Sequence, residues 1–148
     1  MKNVTGYRLP LNSLDVAAPR TAFEITVVAA TPQEAGAVLT AAERLWRGLN
    51  ARVTVLLPVV VQFPAPLTEP PVPPSFLEQQ LGAAVAGHKA ARIEGTVLLC
   101  RDVAEAVRGS LKPHSFVIVG GRKWRFPIAG ASLARALEKA GHSVVLAR

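Results

Sequence analysis

Apolar residues along this chain fall into short continuous runs, and the runs are separated by stretches with helical spacing. Phe23 to Ala30 (FEITVVAA) carries β-branched residues and no breaker, which predicts a strand. Thr31, Pro32 and Glu34 follow at once. A threonine N-cap, a proline at the first helical position and a glutamate three residues after the cap make a capping box. The helix it opens is predicted to reach about Gly48, with Ala37, Leu39, Ala41, Leu45, Trp46 and Leu49 as its apolar face. Val53 to Val61 is an apolar run interrupted only by Thr54 and Pro58, the pattern of a strand covered on both faces.

Pro64, Pro66, Pro70, Pro71, Pro73 and Pro74 exclude helix and ladder alike, so residues 62–74 are expected to be an extended surface loop. Ser75 with Glu78 repeats the capping box, and the helix after it is predicted to end near Gly87. Arg92 to Cys100 predicts a third strand. Asp102 with Glu105 caps a short helix that ends before Pro113, and Ser115 to Val119 predicts a fourth strand. Gly130 to Ala140 is a helix stopped by Gly141, and His142 to Ala147 a fifth strand. Residues 1–22 show no sustained period and are expected to form an N-terminal arm, leaving 23–148 as one domain. Strands that alternate with helical crossovers require a parallel sheet, because each crossover is right-handed and must cover the sheet. The expected fold is therefore α/β, a doubly wound, Rossmann-like open parallel sheet of five strands with helices on both faces.

Composition narrows the class. The chain has 148 residues, 50% hydrophobic and 18% charged, the reverse of a disordered segment. Cys100 is the only cysteine, which excludes an internal disulfide and a zinc site made of several thiolates. No apolar run follows Lys2, so no secretory signal is expected, and the run from Val53 to Val61 is far short of the roughly 20 residues of a membrane span. A cytoplasmic protein with no membrane association is the expectation. The 17 Lys and Arg exceed the 10 Asp and Glu, for a net charge of +7. That excess is concentrated from Arg101 onward, and Arg122, Lys123 and Arg125 surround Trp124 in a basic and aromatic tip. Such a tip suits phosphate or stacking contacts, although arginines also serve plain solubility.

In doubly wound sheets ligands bind beyond the carboxyl ends of the strands, where the strand order reverses. The loops after the first strand (Ala30, Thr31) and after the fourth (GGRKWRFP, Gly120 to Pro127) are the ones to read closely. Across Phe23 to Arg148 the chain resembles the universal stress protein family. The resemblance rests on ITVVAATPQEA, ARVTVLLPVVV, RDVAEAV and above all VIVGGRKWRFPIAGASLARALEKAGHSVVLAR. In that family a strand leads into a glycine-rich loop, a helix opens on Gly-Ser, and a last strand follows.

The resemblance implies a parallel sheet of order 3-2-1-4-5 and a dimer that pairs through the fifth strand. Nucleotide-binding members hold ATP with an Asp after the first strand, two glycines three apart after the fourth, and a Gly-Ser or Gly-Thr pair ten residues beyond the second. Here Ala30 stands at the Asp position, Gly120 matches the first glycine, and Lys123 replaces the second. The loop is then three residues short, Gly130 is retained, Ala131 follows it, and Ser132 comes one residue late. The implied protein is a divergent member without the standard ATP motif. Gly120 and Gly121 still permit close backbone approach, while Arg122 and Lys123 add positive charge, which suits a phosphate-containing ligand held by charge. The other reading of that loop is packing, with Trp124 and Phe126 covering the sheet end.

Little else in the sequence carries chemistry. His88, His114 and His142 have no neighbouring ligand at metal spacing, so no metal is expected. Cys100 reads as a small buried hydrophobe, with Arg101 beside it the only hint of thiolate activation. Asp102 and Glu105 are explained by capping, and no glycine elbow or Walker loop occurs. The final strand, apolar on both faces, would be an exposed edge in a monomer, which predicts a homodimer. The function expected is a homodimeric regulatory or binding module with no catalytic turnover and no cofactor. The alternatives are an ATP- or AMP-binding, weakly hydrolysing protein using Gly120, Lys123 and Gly130, and polyanion or nucleic-acid binding through Arg122, Lys123, Trp124 and Arg125.

Overall fold

A computed structural model describes residues 4–10, 23–46, 51–61, 73–86, 88, 92–120 and 130–147. Its strands are β1 (Val4–Pro10), β2 (Phe23–Val28), β3 (Ala51–Val60), β4 (Arg92–Cys100), β5 (Phe116–Gly120) and β6 (Ser143–Ala147). The helices are α1 (Pro32–Trp46), α2 (Pro74–Val85), α3 (Val103–Ser110) and α4 (Gly130–Lys139). The sheet order is β1-β4-β3-β2-β5-β6, in which β2 to β6 are parallel. Numbered among themselves, the five parallel strands run 3-2-1-4-5, the expected doubly wound order.

The sixth strand was not expected. β1 runs antiparallel along β4, with Val4 opposite Cys100 and Pro10 opposite Glu94. VTGYRLP alternates too briefly to announce itself, and Gly6 and Pro10 dilute its strand propensity. An edge position tolerates both residues, because only one side of an edge strand must complete a ladder.

Two apolar layers hold the sheet. On one face Ile25, Val27, Val53, Val55, Ile93, Val97 and Ile118 meet Val38, Leu39 and Trp46 of α1 and Leu77 and Leu81 of α2. On the other, Val28, Leu56, Leu98, Val117 and Val119 meet Val103, Ala106 and Val107 of α3 and Leu133 and Leu137 of α4. Each buried Leu, Ile or Val contributes about 1.5–3 kcal/mol, so the spacing of apolar positions fixes which face of each element turns inward.

Three local expectations need correction. Of the apolar face expected for α1, Leu39 and Trp46 are buried but Ala37, Ala41 and Leu45 are exposed; the inward stripe is Ala35, Val38, Leu39, Ala42 and Trp46, the true 3.6-residue spacing, and Leu49 lies outside the described residues. No side chain caps α2, whose N-cap is Pro73. Pro73 and Pro74 start the helix by fixing φ, and proline brings no amide needing a partner, so Ser75 falls inside the first turn instead of capping it. Nor is β3 covered on both faces throughout, since its burial alternates over Ala51–Thr54 before becoming continuous. The covering helix is the reason. α3 has 8 residues and spans about 12 Å, whereas the 10 residues of β3 extend about 33 Å. Pro58 is accommodated because it lies past Leu56, the last residue paired to β2, and faces a ladder only on the β4 side, at Leu98.

Candidate functional site

The carboxyl ends of β2 and β5 lie side by side, with Val28 paired to Val119. From there the chain order runs outward through β3 and β4 on one side and β6 on the other, so this is the switch point of the sheet. Ala30 lies two residues beyond the end of β2, where the sequence predicts the strand to reach Ala30 itself, and Gly120, predicted to open the loop, is the last residue of β5. Gly130 is buried as the first residue of α4, and Ser132 is exposed in that helix's first turn. Gly121, Arg122 and Lys123, with the rest of the basic and aromatic tip, lie outside the described residues.

Between Ala30 and Gly120 stands Glu34, from the first turn of α1. Thr31 Oγ1 accepts from the Glu34 amide at 3.1 Å, the forward half of the predicted capping box. The return half differs: Glu34 Oε1 accepts from the amide of Ala30, at 3.3 Å, instead of that of Thr31. This one-residue reach past the cap carries the carboxylate over the end of β5. A Cβ built on Gly120 would lie 2.8 Å from Glu34 Cδ and 2.9 Å from Cγ, so the absence of a side chain there is what admits Glu34. At 6% exposure Glu34 is the one buried charged side chain among the described residues. A buried carboxylate is retained only where donors surround it, and burial of an ionisable group at a ligand-binding crevice marks a functional candidate.

Read in sequence as a cap alone, Glu34 was missed as a site residue. The available signal was its position in TPQEA, six residues after the end of the first parallel strand, where the first helical turn must face the switch point.

Cys100 is fully buried. Burial, with a smaller contribution from Asp102, pushes its thiol up to about 11 from the ordinary 9.0. The thiol is raised and not lowered, so Arg101 beside it does not activate it; Arg101 Nη1 donates to the Val61 carbonyl at 2.6 Å. Asp102 acts as the predicted N-cap, its Oδ1 accepting from the Glu105 amide at 3.0 Å. The histidines serve the surface and the turns. Ser115 donates its amide to His142 Nδ1 at 3.1 Å, and His114 Nδ1 lies 3.3 Å from the Gly141 carbonyl. No group of three or more His, Cys, Asp or Glu able to hold a metal occurs among the described residues.

A second concave region lies at the opposite end of the sheet, a groove of about 760 Å³ over the amino halves of β2, β3 and β4. It exists because α3 stops short, and its floor is polar: Glu24 is paired in register with Arg52 and Arg52 with Arg92, then Thr26 with Thr54 and Thr54 with Glu94. Ion pairs link Arg52 to Glu24 at 3.8 Å, Arg92 to Glu94 at 3.7 Å and Lys112 to Glu24 at 3.4 Å. Arg52 Nε is buried with no hydrogen-bond partner among the described residues. Alternation of polar residues with period two in Glu24-Ile25-Thr26, Arg52-Val53-Thr54 and Arg92-Ile93-Glu94 was the sequence signal for this polar face, which no helix among the described residues covers.

No protein-family model matches the chain, and a search of curated proteins finds no match.

Proposed function

We propose that the protein is a universal stress protein-like regulatory or binding module that works as a homodimer in the cytoplasm, without catalytic turnover and without the standard mode of ATP binding. The observation that carries this reading is the filling of the switch point. The chain has Ala30 where an orienting carboxylate would be needed, and Glu34, the one buried carboxylate among the described residues, lies against Gly120. The backbone approach that a phosphate would use is thus taken by a negative charge. The sheet order and the ordered strand and helix pattern support the family reading.

β6 ends the sheet order among the described residues, and Val145 on it is 45% exposed. Its outward backbone groups are a template for a symmetric copy, which supports the dimer. No helix among the described residues is long and apolar enough to cross a membrane.

Thermal unfolding with and without millimolar ATP, AMP or polyphosphate, at low and at about 200 mM salt, tests the reading. It predicts no shift with any of them. A shift with ATP or AMP that survives salt would establish the nucleotide-binding alternative, and a salt-sensitive shift with every polyanion would assign function to the basic loop. Light scattering after gel filtration checks the dimer, and a monomer at micromolar concentration contradicts it.

A further inference from the structure

We infer that the groove over the amino halves of β2, β3 and β4 binds a small hydroxylated oxyanion, a sugar acid or a sugar phosphate, with Arg52 and Arg92 holding the anionic group and the threonines of the floor its hydroxyls. The groove lies at the opposite end of the sheet from the switch point, so its role stands whatever the switch point does. Its volume of about 760 Å³ is within the roughly 300–1,000 Å³ typical of small-molecule sites. The residues that carry the site belong to the three strands and to residues 110–116, all within the described part of the chain.

Two guanidinium groups stand side by side here, because Arg52 is the register partner of Arg92 on the neighbouring strand. Like charges directly opposite each other destabilise a sheet unless something negative lies between them. Glu24 and Glu94 meet that need only in part. Arg52 Nη1 is 3.8 Å from Glu24 and Arg92 Nη2 is 3.7 Å from Glu94, both beyond hydrogen-bond reach. Glu24 is also drawn on by Lys112, whose Nζ lies 3.4 Å from each of its carboxylate oxygens. Arg52 Nε is buried with no hydrogen-bond partner among the described residues, a desolvated donor with nothing to offset its cost. The two side chains are otherwise half-exposed, at 35% for Arg52 and 41% for Arg92, so a solute in the groove can reach them. Each guanidinium carries five donors in a planar fork that fits an oxyanion in bidentate fashion. An oxyanion between the two forks separates the like charges and draws Arg52 into the groove, where its Nε gains an acceptor.

Charge and hydroxyls set the rest of the ligand. Arg52, Arg92 and Lys112 bring three positive charges to the groove and Glu24 and Glu94 two negative ones, a surplus of one. A single oxyanion group matches that surplus, whereas a polyphosphate or a nucleic-acid strand would set several further charges against the two carboxylates. Thr26 is in register with Thr54, and Thr96 lies two residues beyond Glu94 on β4. Their hydroxyls both donate and accept, and the two carboxylates accept, which is the complement of a run of ligand hydroxyl groups.

The test follows the amide resonances of the isotopically labelled full-length chain as gluconate, glucose 6-phosphate, inorganic phosphate or glucose is added, at about 150 mM salt. Saturable shifts at Thr26, Thr54 and Glu94 are expected with gluconate or glucose 6-phosphate, half-complete below about 10 mM, with weaker binding of inorganic phosphate and none of glucose. The tighter of the two hydroxylated anions identifies the anionic group as carboxylate or phosphate. Arg52→Gln and Arg92→Gln should each weaken binding by about tenfold or more, with circular dichroism confirming the fold and either variant serving if the other does not fold. No saturable shift at the three positions with either hydroxylated anion, or folded variants that bind as tightly as the wild type, overturns the inference. Inorganic phosphate or glucose binding as tightly as the hydroxylated anions overturns the ligand class.

Discussion

Replacing Gly120 by alanine places a methyl group against a buried side chain without asking anything unusual of the backbone. Among the described glycines only Gly141, with φ of 98°, needs the left-handed region. Gly120 is the last residue of a strand, a conformation alanine adopts freely. The new Cβ would lie 2.8 Å from Glu34 Cδ, about 1 Å inside ordinary carbon contact. Retreat of Glu34 costs its hydrogen bond to Ala30 and strains the turn that Thr31 Oγ1 holds. Overpacking of this kind costs about 1–3 kcal/mol, while loss of glycine's freedom in the unfolded chain returns about 0.4–1 kcal/mol. A net destabilisation of about 1–2 kcal/mol follows, seen as a fall of roughly 3–6 °C in Tm for a chain of this size.

The decisive comparison is a double-mutant cycle with Glu34→Ala, followed by urea denaturation. With Glu34 truncated the obstacle is gone, and Gly120→Ala should become neutral or slightly stabilising, an interaction energy of about 1–3 kcal/mol. Equal costs of Gly120→Ala in both backgrounds would refute the claim that Glu34 is what fills the crevice.

Three further outcomes are expected. Trp46→Ala removes the largest fully buried side chain among the described residues from beneath α1 and should cost about 3–5 kcal/mol in urea unfolding; a change below about 1 kcal/mol would show that this layer is loosely packed. Asp102→Ala deletes the acceptor for the Glu105 amide at the start of α3 and should cost about 1 kcal/mol, with Asp102→Asn close to neutral. Cys100 has a folded thiol raised to about 11 against 9.0 for an unperturbed one, so its unfolded form ionises first. Its contribution is intact below about pH 9 and is lost as pH rises toward 11, so the urea midpoint of the wild type should fall relative to that of Cys100→Ala over this window. Parallel curves would contradict the burial argument.

Much of the fold was legible because each element carried its own punctuation. Thr31-Pro32, Asp102 and Gly141 mark boundaries by local chemistry that needs no tertiary context. The strand from Arg92 to Cys100 matches the prediction residue for residue. The misses have a common physical form, in that each depended on a neighbour that no local pattern reports. β1 exists because β4 presents an edge to it, and the first half of β3 is only half-buried because, among the described residues, α3 is too short to reach it. α2 starts on backbone constraint at Pro73 and Pro74, so the serine signal nearby carried no structural role.

The same distinction applies to the site. Ala30 and Gly120 were placed at the switch point from strand order and from the family resemblance. Glu34 was explained too early, because a capping glutamate has a sufficient local reason to be there. Only the proximity of its carboxyl group to a glycine 86 positions later in the chain reveals a second role.

The most direct measurement of the central claim follows the amide resonances of Ala30, Glu34 and Gly120 in the isotopically labelled wild-type chain as ATP is added to millimolar concentration at about 150 mM salt. With the crevice filled by Glu34, these resonances should keep their positions throughout the titration. Saturable shifts at Ala30 and Gly120 in micromolar ATP would contradict the account, because they would place a nucleotide where the chain's own carboxylate is said to stand.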